Sequence, residues 1–141
     1  RLSATDWVDN GWTPEETADF AARLKQEGAN FVHISTAGVA AQQKIPVGPE
    51  FQVPFAKLVK DKTGLPTIAV GLITDPHRAD DIIKRGDADL VALARSFLYK
   101  PRWMWEAAAA LQGTVEASPQ YWRSLPREAQ TIFGPVRVGQ R

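Results

Sequence analysis

The sequence predicts an α/β fold in which parallel strands alternate with helices. Three observations carry this. Helical periodicity recurs four times along the 141 residues, and a glycine closes each helix. A strand-like run follows three of those glycines. Strict alternation of the two element types places the strands parallel, joined by right-handed crossovers.

Residues 1–4, Arg1-Leu2-Ser3-Ala4, read as the end of a strand. Thr13-Pro14-Glu15-Glu16 then supplies a cap, a proline at the first helical position and acids in the first turn. The helix it opens carries Phe20 and Leu24 on one face and stops at Gly28. Residues 31–35, Phe-Val-His-Ile-Ser, form the second strand. Phe55, Leu58 and Val59 recur at helical spacing before Gly64, and a third strand follows at 67–70. Asp75-Pro76 opens a helix bearing Ala79, Ile82 and Ile83, closed by Gly86. The fourth strand is 89–93, and Pro101 opens a last helix with Ala107, Ala110 and Leu111, closed by Gly113. A glycine suits the left-handed residue just past a helix end. Strands three and four are mostly apolar, as strands covered on both faces are. The segment from Thr114 on is rich in proline, arginine and aromatics, with a short helix expected near 127–133. Four strands leave two architectures open: an open sheet, or half of an eight-stranded barrel.

Composition excludes several function classes. The net charge is +1 with acids and bases interspersed, so there is no basic stripe for nucleic acid. With no cysteine there are no disulfides and no thiolate metal site, which is compatible with a cytoplasmic setting. No apolar run approaches the roughly 18 residues of a membrane helix, and the start has no signal-peptide pattern.

The chemistry concentrates at the ends of the third and fourth strands. The third runs into Gly71-Leu72-Ile73-Thr74-Asp75-Pro76, the fourth into Ala94-Arg95-Ser96. Two adjacent parallel strands ending in small residues set bare backbone N–H groups side by side. A helix start and an arginine beside them make an anion cradle. Where strands and helices alternate around a barrel, the loops after the last two strands are the usual phosphate site. This segment therefore reads as the phosphate grip of a nucleotide-type cofactor.

Six motifs occur in register: Arg1-Leu2-Ser3-Ala4-Thr5-Asp6-Trp7, Ser35-Thr36-Ala37-Gly38, Gly48-Pro49-Glu50-Phe51-Gln52-Val53-Pro54-Phe55-Ala56, Ala69-Val70-Gly71-Leu72-Ile73-Thr74, Ala88-Asp89-Leu90-Val91-Ala92-Leu93-Ala94-Arg95 and Pro119-Gln120-Tyr121-Trp122-Arg123. Each alone is weak. Together they resemble the C-terminal half of the old yellow enzyme family, in its bacterial thermophilic-like branch of NADPH dehydrogenases and ene-reductases. The resemblance runs from Arg1 to about Arg123.

The resemblance implies the C-terminal half of a TIM (β/α)8 barrel over residues 1–113, followed by a tail at 114–141. It implies FMN as cofactor, NAD(P)H as reductant and an activated alkene as substrate. Arg1 matches the arginine at the flavin's pyrimidine edge, where a cation suits the negative charge of reduced flavin. Gly71, Leu72, Ala94 and Arg95 match the phosphate loops, with Arg95 adding a charged fork. Family members commonly have glycine where Ala94 stands; alanine leaves the N–H available but narrows the approach. Arg123 matches an arginine that reaches across a dimer interface to the neighbour's substrate. No catalytic residue is expected in this half: the paired His/His or His/Asn, the tyrosine proton donor and the flavin-tuning Cys or Thr belong to the N-terminal half.

The remaining candidates read as structural. His33 sits inside a strand and His77 at a helix start, so they are no pair. Trp103, Trp105, Tyr121 and Trp122 read as packing, and Asp6, Asp9 and Asp75 as loop and cap residues. Gln42 and Lys44 lie in the long loop after the second strand, at the expected barrel mouth. A half-barrel leaves two open edges and one uncovered sheet face, expected to carry a selection of Val32, Ile34, Ile68 and Val91. The chain is therefore expected to pair with a missing N-terminal half or with a second copy of itself. The rival reading is a stand-alone half-barrel that binds phosphate or self-assembles without catalysis.

Overall fold

The computed structural model describes residues 1–38 and 40–135. The elements in chain order are β1 (Leu2–Ser3), α1 (Pro14–Gln26), β2 (Val32–Ser35), α2 (Val53–Thr63), β3 (Thr67–Ala69), α3 (Pro76–Lys84), β4 (Leu90–Val91), α4 (Arg95–Tyr99) and α5 (Trp103–Ala110). Two short 3₁₀ turns, Pro119–Ser124 and Arg127–Ala129, follow. The four strands pair in chain order, β1-β2-β3-β4, and every pair is parallel. The α/β alternation is as the sequence predicts. The chain forms two compact units: Arg1–Thr74 with Arg78–Ala94, and Asp75–His77 with the residues from Arg95 onward.

The pairing register sorts the sheet's side chains. His33 lies opposite Ile68, and Ile68 opposite Leu90, so these three share a face. Val32, Ile34, Thr67 and Ala69 share the other, where α2 packs, and none is more than 5 % exposed. The face away from the helices also carries Arg1, Ser3 and Ser35 by alternation. Leu90 on it is 57 % exposed. The expected apolar residues are thus corrected. Ile68 is on the uncovered face, but Val32, Ile34 and Val91 are on the helix side. An apolar run shows that both faces of a strand are covered without showing which residue points where; the helices set the phase.

Helix α1 begins as its sequence requires. Thr13 Oγ1 accepts from Glu16 N–H while the Glu16 carboxylate accepts from Thr13 N–H, a complete capping box. The face that packs is Thr17, Ala18 and Ala21, small residues that let α1 lie close to the sheet and α2. Thr17 Oγ1 donates to Ala4 O at 3.0 Å and accepts from Trp12 Nε1, so its burial leaves no polar atom unpaired. Phe20 is displaced from the core by this choice and is 43 % exposed. It lines an apolar groove with Leu2 and Trp12 along the edge strand β1.

Glycine ends the first three long helices with positive φ: Gly28 at 98°, Gly64 at 65° and Gly86 at 76°. After α5 the left-handed residue is Gln112, at 54°, and not the expected Gly113. Asp89 joins β4 to the rest of the unit. Its carboxylate accepts from Thr67 N–H at 2.8 Å and pairs with Lys60 Nζ at 2.9 Å. These contacts, the Thr67 N–H first, hold its carboxyl below the ordinary value of 3.8. A lowered folded-state value contributes stability above pH 3.8, and that contribution disappears as pH falls through the folded value. Asp89→Ala is expected to cost about 1 kcal/mol at neutral pH. Denaturant melts across pH should show the difference from wild type shrinking in acid.

The second unit is built on aromatic rings. Trp105 packs edge-on against Phe133 at 5.0 Å and Tyr121 at 5.6 Å. The Arg102 guanidinium lies 4.6 Å from the Trp105 ring centre and 4.8 Å from that of Tyr121. Ala129, Ile132 and Phe133 are buried beneath Val115, Trp122 and Leu125. The expected helix at 127–133 is only the 3₁₀ turn Arg127–Ala129, and a second turn at Pro119–Ser124 has no counterpart in the sequence reading. Both are held by ring packing between residues far apart in sequence, which local periodicity does not register. The last part of the 114–141 tail, residues 136–141, lies outside the described residues.

Candidate functional site

The C-terminal ends of the parallel strands gather the polar groups. Ser35 and Thr36 end β2, each 7 % exposed. Arg1 runs along the uncovered face and donates from Nε to Ser35 Oγ at 2.9 Å. A cation thus stands on the sheet face, held by a hydroxyl that the sequence reading did not single out. His33, on the same face, has its pKa pushed down by burial first and by the Arg1 charge second.

The loop after β3 has an unusual backbone. Gly71 has φ 125° and Leu72 φ 51°, two consecutive residues in the left-handed half of φ space. Gly71 is also sterically required. A Cβ there would stand 3.2 Å from both the backbone N and the Cβ of Gln52. Leucine has no such freedom, and a strained non-glycine residue persists only where its surroundings over-determine it. Strand β4 ends alongside: Ala92 N–H donates to Ala69 O at 2.7 Å. The peptide groups of Gly71 and Leu72 and that of Ala94 therefore lie at neighbouring strand ends. Ala94 and Arg95 are exposed, and Arg95 is the first residue of α4. Arg123 lies exposed in the Pro119–Ser124 turn of the second unit.

Behind the Gly71 loop stands Gln52, 6 % exposed, with its Nε2 3.5 Å from Thr36 O. Gln52 Oε1 and Thr36 Oγ1 are buried with no hydrogen-bond partner among the described residues. Neither residue emerges as a candidate from sequence alone. The only signal was a glutamine at the start of an otherwise apolar helical turn, Phe51-Gln52-Val53.

The loops after β1 and β2 meet at the same end of the sheet. Gln43 Nε2 donates to Asp6 O at 2.7 Å, and its Oε1 accepts from Gly38 N–H at 3.1 Å. Gln42 and Lys44 line an open cleft of about 810 Å³ with Trp7 and Trp12. His33 lies in the first unit and His77 in the second. Among the described residues no cluster of His, Asp or Glu is placed to hold a metal ion, and no helix is long and apolar enough to cross a membrane.

Parallel strands in chain order, alternating with helices and with a left-handed glycine after the third, define an α/β class of fold, and sequence comparison gives the family. Residues 1–113 match the NADH:flavin oxidoreductase / NADH oxidase family, and the chain belongs to it. It is 41 % identical over 123 residues to an NADPH dehydrogenase of Geobacillus sp. (strain WCH70). It is 39 % identical over 123 residues to one of Geobacillus thermodenitrificans (strain NG80-2). An NADPH dehydrogenase of Listeria innocua serovar 6a is 38 % identical over 124 residues. The first two alignments cover 87 % of this chain and the third 88 %, but each covers 36 % of the relative. The chain thus spans about a third of the length of these relatives.

Proposed function

We propose that this chain is the flavin-holding C-terminal half of an eight-stranded barrel, in a cytoplasmic NAD(P)H-dependent ene-reductase. The observation that carries the reading is the Gly71-Leu72 loop, left-handed at both residues and lying beside the end of β4. The uncovered sheet face, with its basic residue at one end and apolar residues at the other, supports it. So does a family match over 1–113 in a chain that spans about a third of its relatives' length.

The residues fit FMN. The Cβ side of Gly71 is packed against Gln52, so only glycine suits the left-handed turn that sets the loop's backbone. The loop backbone at Gly71, Leu72 and Ala94 would hold phosphate oxygens through N–H groups. Arg95 would add a two-pronged guanidinium. Arg1, steadied by Ser35, would stand at the pyrimidine edge and favour negative charge there. Arg123 would act in trans, on the substrate of a second copy. When bound, the flavin supplies hydride transfer from NAD(P)H to an alkene activated by a carbonyl or nitro group. This chain's own share is binding and polarisation of the cofactor, with no proton donor and no substrate-polarising pair.

Titrating the purified chain with FMN and recording the visible spectrum tests the first half of the reading. Perturbed flavin bands at saturation are expected. The second half is tested by assaying cyclohexenone reduction with FMN and NADPH added. No turnover above free flavin is expected, because stabilisation of the developing enolate is a large term and its donors are elsewhere. Reduction at an ordinary enzymatic rate would contradict the reading.

A further inference from the structure

Three left-handed residues face one another around the Gly71 loop: Glu50 at φ 64°, Gly71 at 125° and Leu72 at 51°. Only one is a glycine. Glu50 belongs to a turn at residues 50–52 that leads into α2, and this turn touches three other parts of the unit. Its backbone N–H at Glu50 donates to Gly71 O at 2.9 Å. Its Gln52 backbone and side chain fill the space beside Gly71, and the Gln52 amide reaches Thr36 O at the end of β2. The Glu50 carboxylate, 21 % exposed, takes Arg78 Nη1 on one oxygen at 3.3 Å and Arg85 Nη2 on the other at 3.1 Å. Arg78 lies in α3, the helix the Gly71 loop runs into, and Arg85 directly follows it.

We propose that Glu50 is the positioning residue of the 71–74 loop. Its backbone holds the Gly71 carbonyl, its carboxylate ties the same point to both ends of α3, and Gln52 blocks the loop from collapsing inward. Left to itself, Leu72 would relax to a right-handed or extended backbone, turning its peptide group away from the position it holds. A single exposed ion pair contributes little. Here one carboxylate carries two guanidiniums, and its own backbone amide closes the loop, so the contacts act on one geometry together. The value of that geometry rests on the phosphate-binding reading above; the holding role does not.

The test is amide hydrogen exchange by NMR on the 141-residue chain, comparing wild type with Glu50→Gln, and with Arg85→Gln as a second, exposed variant. Lys84→Gln, whose partner is Asp80 on the same helix, is the control. In Glu50→Gln the amides of residues 71–73 are expected to exchange at least tenfold faster, with Val32 and Ile34 of β2 unchanged. Arg85→Gln should show the same local pattern at smaller size, and Lys84→Gln none. Unchanged exchange at 71–73 overturns the proposal. Equal acceleration across the sheet does so too, since it would mark a general loss of stability. FMN titration of wild type runs in parallel. A local exchange effect in a wild-type chain that does not bind FMN would sink the phosphate reading and leave the positioning role standing.

Discussion

Arg95→Ala is expected to weaken FMN binding by about tenfold to a hundredfold while leaving riboflavin binding nearly unchanged. The two ligands differ only in the phosphate. Arg95 stands three residues beyond Ala92, the residue after β4, exposed and at the first position of α4. A charge-assisted hydrogen bond to a phosphate contributes roughly 1.5–3 kcal/mol, which sets the expected range. Arg95→Lys should recover part of the loss, because an ammonium restores the charge without the two-pronged geometry. Parallel titrations of both flavins by calorimetry or fluorescence quenching measure the ratio. Equal losses for FMN and riboflavin would place Arg95 at the ring or in the folding of its unit, and the phosphate assignment would fall.

The second large effect concerns assembly. The sheet face that the helices leave uncovered carries Ile68 and Leu90, with Leu90 57 % exposed. The edge strand β1 adds a groove lined by Leu2, Trp12 and Phe20, with Trp12 40 % and Phe20 43 % exposed. Both end strands also present unpaired backbone groups along one side. Apolar surface of this kind marks an interaction face. Its proposed occupant is the N-terminal half of the barrel, whose strands would continue the sheet beyond β1 and β4. For the 141-residue chain by itself, sedimentation at micromolar concentration should show dimers or larger species. Leu90→Lys and Phe20→Lys together should shift the distribution toward monomer. Supplying a separately expressed N-terminal half of an NADPH dehydrogenase relative should convert the oligomers to a one-to-one complex. A folded, freely soluble wild-type monomer would show that the open face needs no cover, and the half-barrel reading would be wrong.

Much of this molecule is legible from local signals. The capping box at Thr13 and Glu16, the proline at the start of α3 and the glycines at 28, 64 and 86 act within a few residues of themselves, so helix ends could be read directly. Strict alternation then leaves a parallel sheet in chain order as the one short-connection solution. The candidate phosphate loop was legible for the same reason, because Gly71 closes a strand next to a helix start.

Other features depend on contacts between distant segments. Which face of each strand is covered follows from how α1 and α2 pack, and that moved Val32 and Ile34 to the helix side. Phe20 lost its place in the core because Ala18 and Ala21 permit a closer approach than a ring does. Glu50 and Gln52 acquire a role only through Gly71, some twenty residues away, and through the arginines beyond it. The tail around Trp105 and Phe133 is ordered by ring contacts that no periodicity encodes. Helix ends and alternation are set by backbone hydrogen bonding over three or four residues, whereas side-chain phase, burial and the bracing of a strained loop are set by where the folded chain brings remote residues together.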